Sequence, residues 1–477
     1  MTHGSTSFTR GAGRKEALFS AHTEDEMSGL PEPRRSLAIA SVLAAMVLVV
    51  LDASIANVAL PTIAQSLNVT PAMSIWVITS YQTALLVALL PCAALGESLG
   101  YRRVFTWGVA LFTGASILCA FSPSISWLVA ARFLQGLGGA AVMALGAALM
   151  RVVVPHRQFG AAIGWYALVV ALSSATGPTI GASILSGMSW PWLFAINLPL
   201  GVLVLLATRA LPYGGGTARQ LDMNSVMLNA VVFTLLIIGV ELLPVRPAMA
   251  AVLFTMATAA LVALIRREMP KDVPLIPFDL LRTDSFRISV IASVICFAGV
   301  AASMVALPFY LQHSLRQDAL MTGLYMTTWP LTVAIAAPLA GRLADVVSTA
   351  KLCSLGGACL ATGLGAAALW PLNGDPLPLV PLTMLCGLGF GLFNVANNRI
   401  MFLSAPRERS GAAGGMQATA RLFGQSAGTV FMTLLFTLAS TDVAPQIGLG
   451  IGAVLTLLAG LVGTLRVGLM ANDEPQL

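Results

Sequence analysis

Three ionisable side chains interrupt long apolar runs in this sequence: Asp52 in VVLDASIANVALP (49–61), Arg132 in RFLQGLGGA (132–140) and Arg421 in ARLFGQSAG (420–428). Charge in such a setting costs several kcal/mol unless it is paired or hydrated, so each residue is a functional candidate by default. Asp52 lies about eight residues, roughly 12 Å, from one end of its run, and Arg132 about five residues, roughly 8 Å, into its own. The two depths nearly match. A carboxylate beside a guanidinium feels desolvation and the cation in opposite senses, so small changes of geometry move it across the working pH range, as proton coupling requires. A permanent ion pair that pins two helices is the competing reading.

Polar amides and aromatics occur in the same kind of surroundings. FNVANNRI (393–400) sets Asn394 about one helical turn from Asn397 and Asn398, and Gln425 follows Arg421 by one turn. Together with Asn57, Tyr81, Gln135 and Trp329 they are candidates either to bond a neighbouring helix or to touch a bound small molecule. Arg421 is open to three roles: holding an anionic group, pairing with an acid, or bonding backbone carbonyls. Catalysis has less support. The four histidines (His3, His22, His156 and His313) are scattered, the six cysteines sit in apolar segments without metal-ligand spacing, and no GxxxxGK[ST] loop is present. An enzyme, a cofactor protein or a nucleotide-driven pump is therefore not expected.

The elements that must position these residues follow from composition. The chain has 477 residues, of which 57% are hydrophobic and 10% charged, against about 25% charged in soluble domains. Apolar stretches long enough to cross a bilayer fall near 37–60, 74–95, 104–121, 127–150, 159–183, 190–209, 222–242, 248–266, 286–309, 322–342, 351–370, 377–402, 411–438 and 447–468. The expectation is an all-α membrane protein of fourteen transmembrane helices. Residues 1–35 and 471–477 read as cytoplasmic tails, the first disordered and uncleaved. The net charge of +6 comes from basic residues in short loops rather than a patch, which argues against nucleic acid.

Those loops set the orientation. One side collects Arg102, Arg103, Arg151, Arg157, Arg209, Arg219, Arg266, Arg267, Lys271, Arg282, Arg287, Arg342, Lys351, Arg407 and Arg409, while the other holds Arg246 and Arg316. The positive-inside rule then puts both termini in the cytoplasm, and Trp76, Trp127, Trp190, Trp192 and Trp370 fall at outer ends.

The chain also repeats itself. PHRQFGAAIG (155–164) matches PRERSGAAGG (406–415), and QGLGGA (135–140) matches CGLGFG (386–391), both 251 residues apart; Glu97 and Asp345 form a weaker pair 248 apart. Two six-helix halves, 36–210 and 285–470, are thus separated by an insertion, 211–284, that carries an extra helix pair, with a path at the interface of the halves. Val300 stands at the repeat position of Asp52, so the second half has no matching deep carboxylate.

LDASIANVALP, RFLQGLGGA and SSATGPTIGA (173–182) resemble, in order, the first-, fourth- and fifth-helix motifs of the fourteen-helix drug/proton antiporters of the major facilitator superfamily. The resemblance covers residues 36–470. Ser173 and Ala182 replace glycines of the fifth-helix motif, and in AALGESLGYRRVF Glu97 replaces an aspartate and Ser98 a basic residue. The resemblance implies the major facilitator fold and a secondary transporter of an inner cell membrane, acting by alternating access, without cofactor, driven by the proton gradient. It implies export of amphipathic drugs or toxic small molecules, with a symporter or metabolite exporter as the alternative, and a monomer whose partners are cargo, protons and lipid. Asp52 and Arg132 would couple protons. Glu97, Gly100, Arg102, Arg103, Gly177, Pro178, Gly181 and Asp345 would form the conformational switch.

Overall fold

The computed structural model describes residues 30–155, 158–213, 222–243, 246–269, 278–371, 375–406 and 409–470. The amino-terminal tail to residue 29, Arg157, Arg219, Lys271, Arg407 and the tail 471–477 lie outside them. The described residues form helices and connecting turns, with no strand among them. The first six spans are α1 (Arg34–Ser66), α2 (Pro71–Leu99), α3 (Tyr101–Ala120), α4 (Ile125–Val153), α5 (Phe159–Gly187) and α6 (Trp192–Ala210). The insertion supplies α7 (Met223–Leu242) and α8 (Pro247–Glu268). The last six are α9 (Asp284–Phe309), α10 (Ala319–Leu343), α11 (Thr349–Ala368), α12 (Leu379–Leu403), α13 (Ser410–Leu438) and α14 (Ala444–Met470).

Thirteen of these helices are long and apolar enough to cross a membrane by composition alone, and α13 makes fourteen. Its shortfall has a cause: Arg421, Gln425, Ser426 and interspersed glycines and threonines dilute its apolar surface. Local chemistry ends the helices. Thr70, Ser124 and Asp318 cap α2, α4 and α10 by accepting the backbone N–H groups of Met73, Trp127 and Met321. Asn68 takes a left-handed φ of 51° where α1 stops. α1 and α6 differ from the sequence reading. α1 is longer than 37–60, running on through Pro61 to Ser66, and α6 is jointed at Ile196, just before Asn197 opens its longer segment. Pro199 sits in the first turn of that segment, where a missing N–H leaves no intrahelical bond unmade.

Within the halves, glycines set the closest approaches, and they recur at the offsets of the sequence repeat. A Cβ on Gly138 of α4 would lie 2.6 Å from the Gly108 carbonyl oxygen of α3, and one on Gly389 of α12 would lie 2.6 Å from that of Gly356 in α11. Likewise Gly136 rests on the backbone of Tyr81, and Gly387 on that of Trp329. Each pair is related by 251 residues on one helix and 248 on the other. The halves share one packing scheme because small residues occupy the same crossings in both.

Between the halves α5 packs on α10 and α2 on α13, with α1 and α9 beside each other at the centre. The insertion straddles the second of these interfaces: α7 touches both α2 and α13, with Asn229 Nδ2 donating to the Val87 oxygen at 3.2 Å and Phe233 against Phe423, while α8 packs on α7.

The two ends of the molecule differ. At the end carrying Trp190, one apolar cluster runs from Ile55–Ile63 of the first half to Val305–Leu315, Tyr325 and Met326 of the second. Gln312 Nε2 crosses to the Val58 oxygen at 3.3 Å, and Thr179 meets Thr327 at 2.6 Å. At the end carrying Arg102 the core divides into two clusters, a large one chiefly of the first half that also takes in Leu422 of α13, and a smaller one around Phe286, Met401 and Leu264 on which Leu90 of α2 packs. There Leu43, Val47, Val50 and Ser54 of α1 keep one face partly exposed, at a spacing of one turn. Apolar packing between the halves is therefore less continuous towards the Arg102 end. Gly138→Ala and Gly389→Ala should each cost about 1–3 kcal/mol by overpacking, whereas Gly114→Ala, where nothing lies within 4 Å, should leave stability unchanged or raised. Thermal unfolding of the purified protein measures this.

Candidate functional site

The polar centre of the first half is built from four helices. Asp52 projects from the middle of α1, Ser116 from α3, Arg132 and Gln135 from successive turns of α4, and Asn197 from the joint in α6. All five are at most 2% exposed. The Arg132 Nη1 donates to Asp52 Oδ2 at 2.5 Å and to Gln135 Oε1 at 2.6 Å. Asp52 Oδ1 accepts from Asn197 Nδ2 at 2.7 Å and from Gln135 Nε2 at 3.0 Å. Gln135 Nε2 also reaches Ser116 Oγ at 2.8 Å, and Arg132 Nε bonds the Val77 oxygen of α2 at 3.1 Å. The guanidinium carbon lies 4.2 Å from the centre of the Tyr81 ring, with Phe194 further off at 5.5 Å.

Three N–H groups thus converge on one carboxylate, a set complementary to its ionised form. The matched depths of Asp52 and Arg132 reflect direct contact. Asn197, Ser116 and Phe194 had no place in the sequence reading. A lone asparagine in the apolar run AINLPLG was the available signal for Asn197; Ser116, in a run of small residues, offered none.

Several expected small-molecule contacts are placed elsewhere. Gln135 and Tyr81 belong to the Asp52 network and are sealed there. Trp329 is buried at the α10–α12 crossing. Asn397 is buried too, tying α12 to α9 through the Ser289 oxygen and Ser293 Oγ at 3.0 and 2.8 Å. Asn57 donates to the Ala53 oxygen of its own helix. Asn57 is half-buried, as are Asn394 and Asn398, which bond each other at 3.1 Å, and Arg421 and Gln425 on one face of α13.

The switch residues divide in the same way. Gly100 has φ 97°, a conformation that only glycine adopts without strain, and makes the sharp turn from α2 into α3. Arg102 donates to the Leu211 oxygen at 3.0 Å and stacks on Tyr213, so it clamps the chain leaving α6 within the first half. Arg34 bonds the neighbouring Ala210 oxygen at 2.9 Å. Arg103 is exposed and Glu97 half-buried, and Asp345 pairs with Arg399 at 2.6 Å on the surface of the second half. Gly177 and Gly181 receive Ser54 and Ile55 of α1, so they pack within the first half. Contact with the other half is made beside them, where Gly323 of α10 lies against the Pro178 oxygen and Ala182.

Two similar helical halves of bilayer-length apolar helices, with a polar centre buried in one of them, are the architecture of a multi-pass membrane transporter. The family model described as the Major Facilitator Superfamily matches residues 42–266 and 289–476, and the chain belongs to that family. It is 42% identical to the uncharacterized transporter YebQ of Escherichia coli (strain K12), over 93% of this chain and 98% of that protein. It is 30% identical to the riboflavin transporter RibZ of Clostridioides difficile (strain 630), over 82% and 86%. The multidrug resistance protein Stp of Mycobacterium tuberculosis (strain CDC 1551 / Oshkosh) is also 30% identical, over 84% and 76%.

Removing one partner of a buried pair strands the other. Arg132→Met should lower stability by about 3–5 kcal/mol, and adding Asp52→Asn to that variant should recover part of the loss, because a neutral amide no longer needs the cation. Chemical or thermal unfolding of the two single variants and the double variant checks this; additive losses would contradict the coupling.

Proposed function

We propose that the protein is a proton-driven exporter of amphipathic small molecules in an inner cell membrane, with both termini cytoplasmic. The observation that carries the reading is the Asp52 carboxylate, held in the first half by three donors and linked to the interface between the halves. The link is short. Two residues beyond Asp52, Ser54 packs on Gly177 and its hydroxyl donates to the Ser174 oxygen at 3.3 Å; the next residue along α5, Pro178, rests against Gly323 of the other half. Protonation of Asp52 would remove the charge that Arg132, Gln135 and Asn197 hold, loosening α1 against α4 and α6. That shift would be delivered to α5 and so to the α5–α10 contact.

The basic loops support a cytoplasmic Arg102 end, and the less continuous packing of the halves there fits an inward-facing conformation. Cargo would then enter from the cytoplasm or inner leaflet, and rocking of the halves would expose it on the other side. Relatives named as multidrug resistance protein and riboflavin transporter support small-molecule cargo. Asp52 has no carboxylate counterpart in the second half, which favours coupling through a single acid.

In proteoliposomes with an internal pH dye, a panel of cationic, neutral and anionic amphipaths should contain compounds that drive proton movement against their own. Asp52→Asn should abolish this exchange while leaving the protein folded. Undiminished proton flux in that variant, or cargo and protons moving in the same direction, would overturn the reading.

A further inference from the structure

Arg421 and Arg132 are both deep in the helices, but only Arg132 is neutralised. Among the described residues Arg421 makes no hydrogen bond and no ion pair, and its Nε is sealed without any partner. The residue as a whole is half-buried, and its terminal nitrogens, unlike Nε, are not sealed. A guanidinium does not escape by losing its proton. A bare cation at this depth is costly unless something outside the chain completes it.

The surroundings point to what completes it. Arg421 acts electrostatically on Tyr166, which approaches from α5 of the first half. The Tyr166 hydroxyl spends its proton on Met46 Sδ at 3.1 Å, a weak acceptor that an anion would outcompete. Gln425, one turn from Arg421 on the same face, makes no side-chain hydrogen bond among the described residues. Leu43, Val47 and Val50, on one face of α1, are partly exposed and wholly apolar. Asp52, the acid that would attract a cationic ligand, is sealed and already paired.

We propose that Arg421, with Gln425 and the Tyr166 hydroxyl, binds the anionic group of the cargo, so that the transported compounds are amphipathic anions bearing a carboxylate, sulfonate or phosphate on an apolar body. The planar fork of arginine suits such groups by paired hydrogen bonds, and α1 supplies the apolar contact. The inference deepens the export reading and rests on it only for the direction of transport. A phospholipid headgroup shares the phosphate chemistry, and the experiment below separates it from a soluble anion.

The full-length protein in nanodiscs of zwitterionic lipid is titrated calorimetrically with naphthalene-2-sulfonate, 2-naphthol and 2-naphthylmethylammonium, which share one apolar body. The sulfonate should bind at least tenfold tighter than the ammonium compound. Arg421→Gln should weaken sulfonate binding tenfold or more, Arg421→Lys less, and Gln425→Leu severalfold, which keeps the test open if an Arg421 variant does not fold. Arg421→Gln should leave naphthol binding unchanged, a readout that general unfolding would not spare. Asp52→Asn should bind the sulfonate as the unaltered protein does, so undiminished proton exchange in that variant with retained sulfonate binding would sink the export reading and leave this one standing. Equal affinity for sulfonate and ammonium, or sulfonate binding indifferent to Arg421, overturns the inference. So does competitive displacement of the sulfonate by phosphatidylglycerol in the nanodisc, which would assign the site to lipid.

Discussion

The first half is organised around one carboxylate that has been taken out of water. An ionised Asp52 in a hydrocarbon setting is tolerable only if donors surround it, and they come from α4 and α6, with α3 steadying them through Ser116. Three further helices must therefore converge on the middle of α1. The joint in α6 serves this demand, since it starts a new helical segment at the residue whose amide meets Asp52 Oδ1. Arg132 extends the constraint to α2 through the Val77 oxygen and the face of Tyr81. Every helix of the half except α5 takes part directly, and α5 is reached through the next turn of α1.

The second half has the scaffold without this centre. Its glycine crossings repeat those of the first half, yet Val300, Thr383 and Cys386 stand at the repeat positions of Asp52, Arg132 and Gln135. Helix packing by small residues and the chemistry of ionisable groups are thus independent layers of the design: the former was kept in both halves and the latter in one. Buried polarity in the second half does different work. Asn397 joins α12 to α9, while Arg421 is left without a hydrogen bond or ion pair among the described residues. One half holds an ionised pair that is closed on itself; the other offers a charge to a visitor.

Closure at the Trp190 end and division at the Arg102 end give the molecule its polarity. The contacts that cross between the halves near Trp190 are few in polar bonds but rich in apolar area, which is non-directional and can be exchanged for a similar surface when the halves tilt. The inserted pair lies across the α2–α13 interface, with α7 bonded to one helix and stacked on the other. Movement between the halves must therefore carry α7 along or slide past it, whereas the α5–α10 interface on the other side is unencumbered.

What the sequence determined by itself was the part governed by local composition and periodicity. Bilayer-length apolar runs, capping residues between them and a twofold recurrence of small-residue motifs suffice for fourteen helices, two halves and an insertion, because each is a property of neighbours along the chain. The charge of Asp52 in a run of aliphatic residues was legible for the same reason. Which way a side chain points about its helix axis was not, since that depends on every helix packed around it. Only the tertiary structure decided that Asp52 touches Arg132, that Gln135 and Tyr81 serve this pair rather than the interior space, and that Asn197 completes it from 145 residues away. The same physics separated the two arginines: both lie in apolar runs, yet one meets a carboxylate across a helix crossing and the other meets no partner among the described residues.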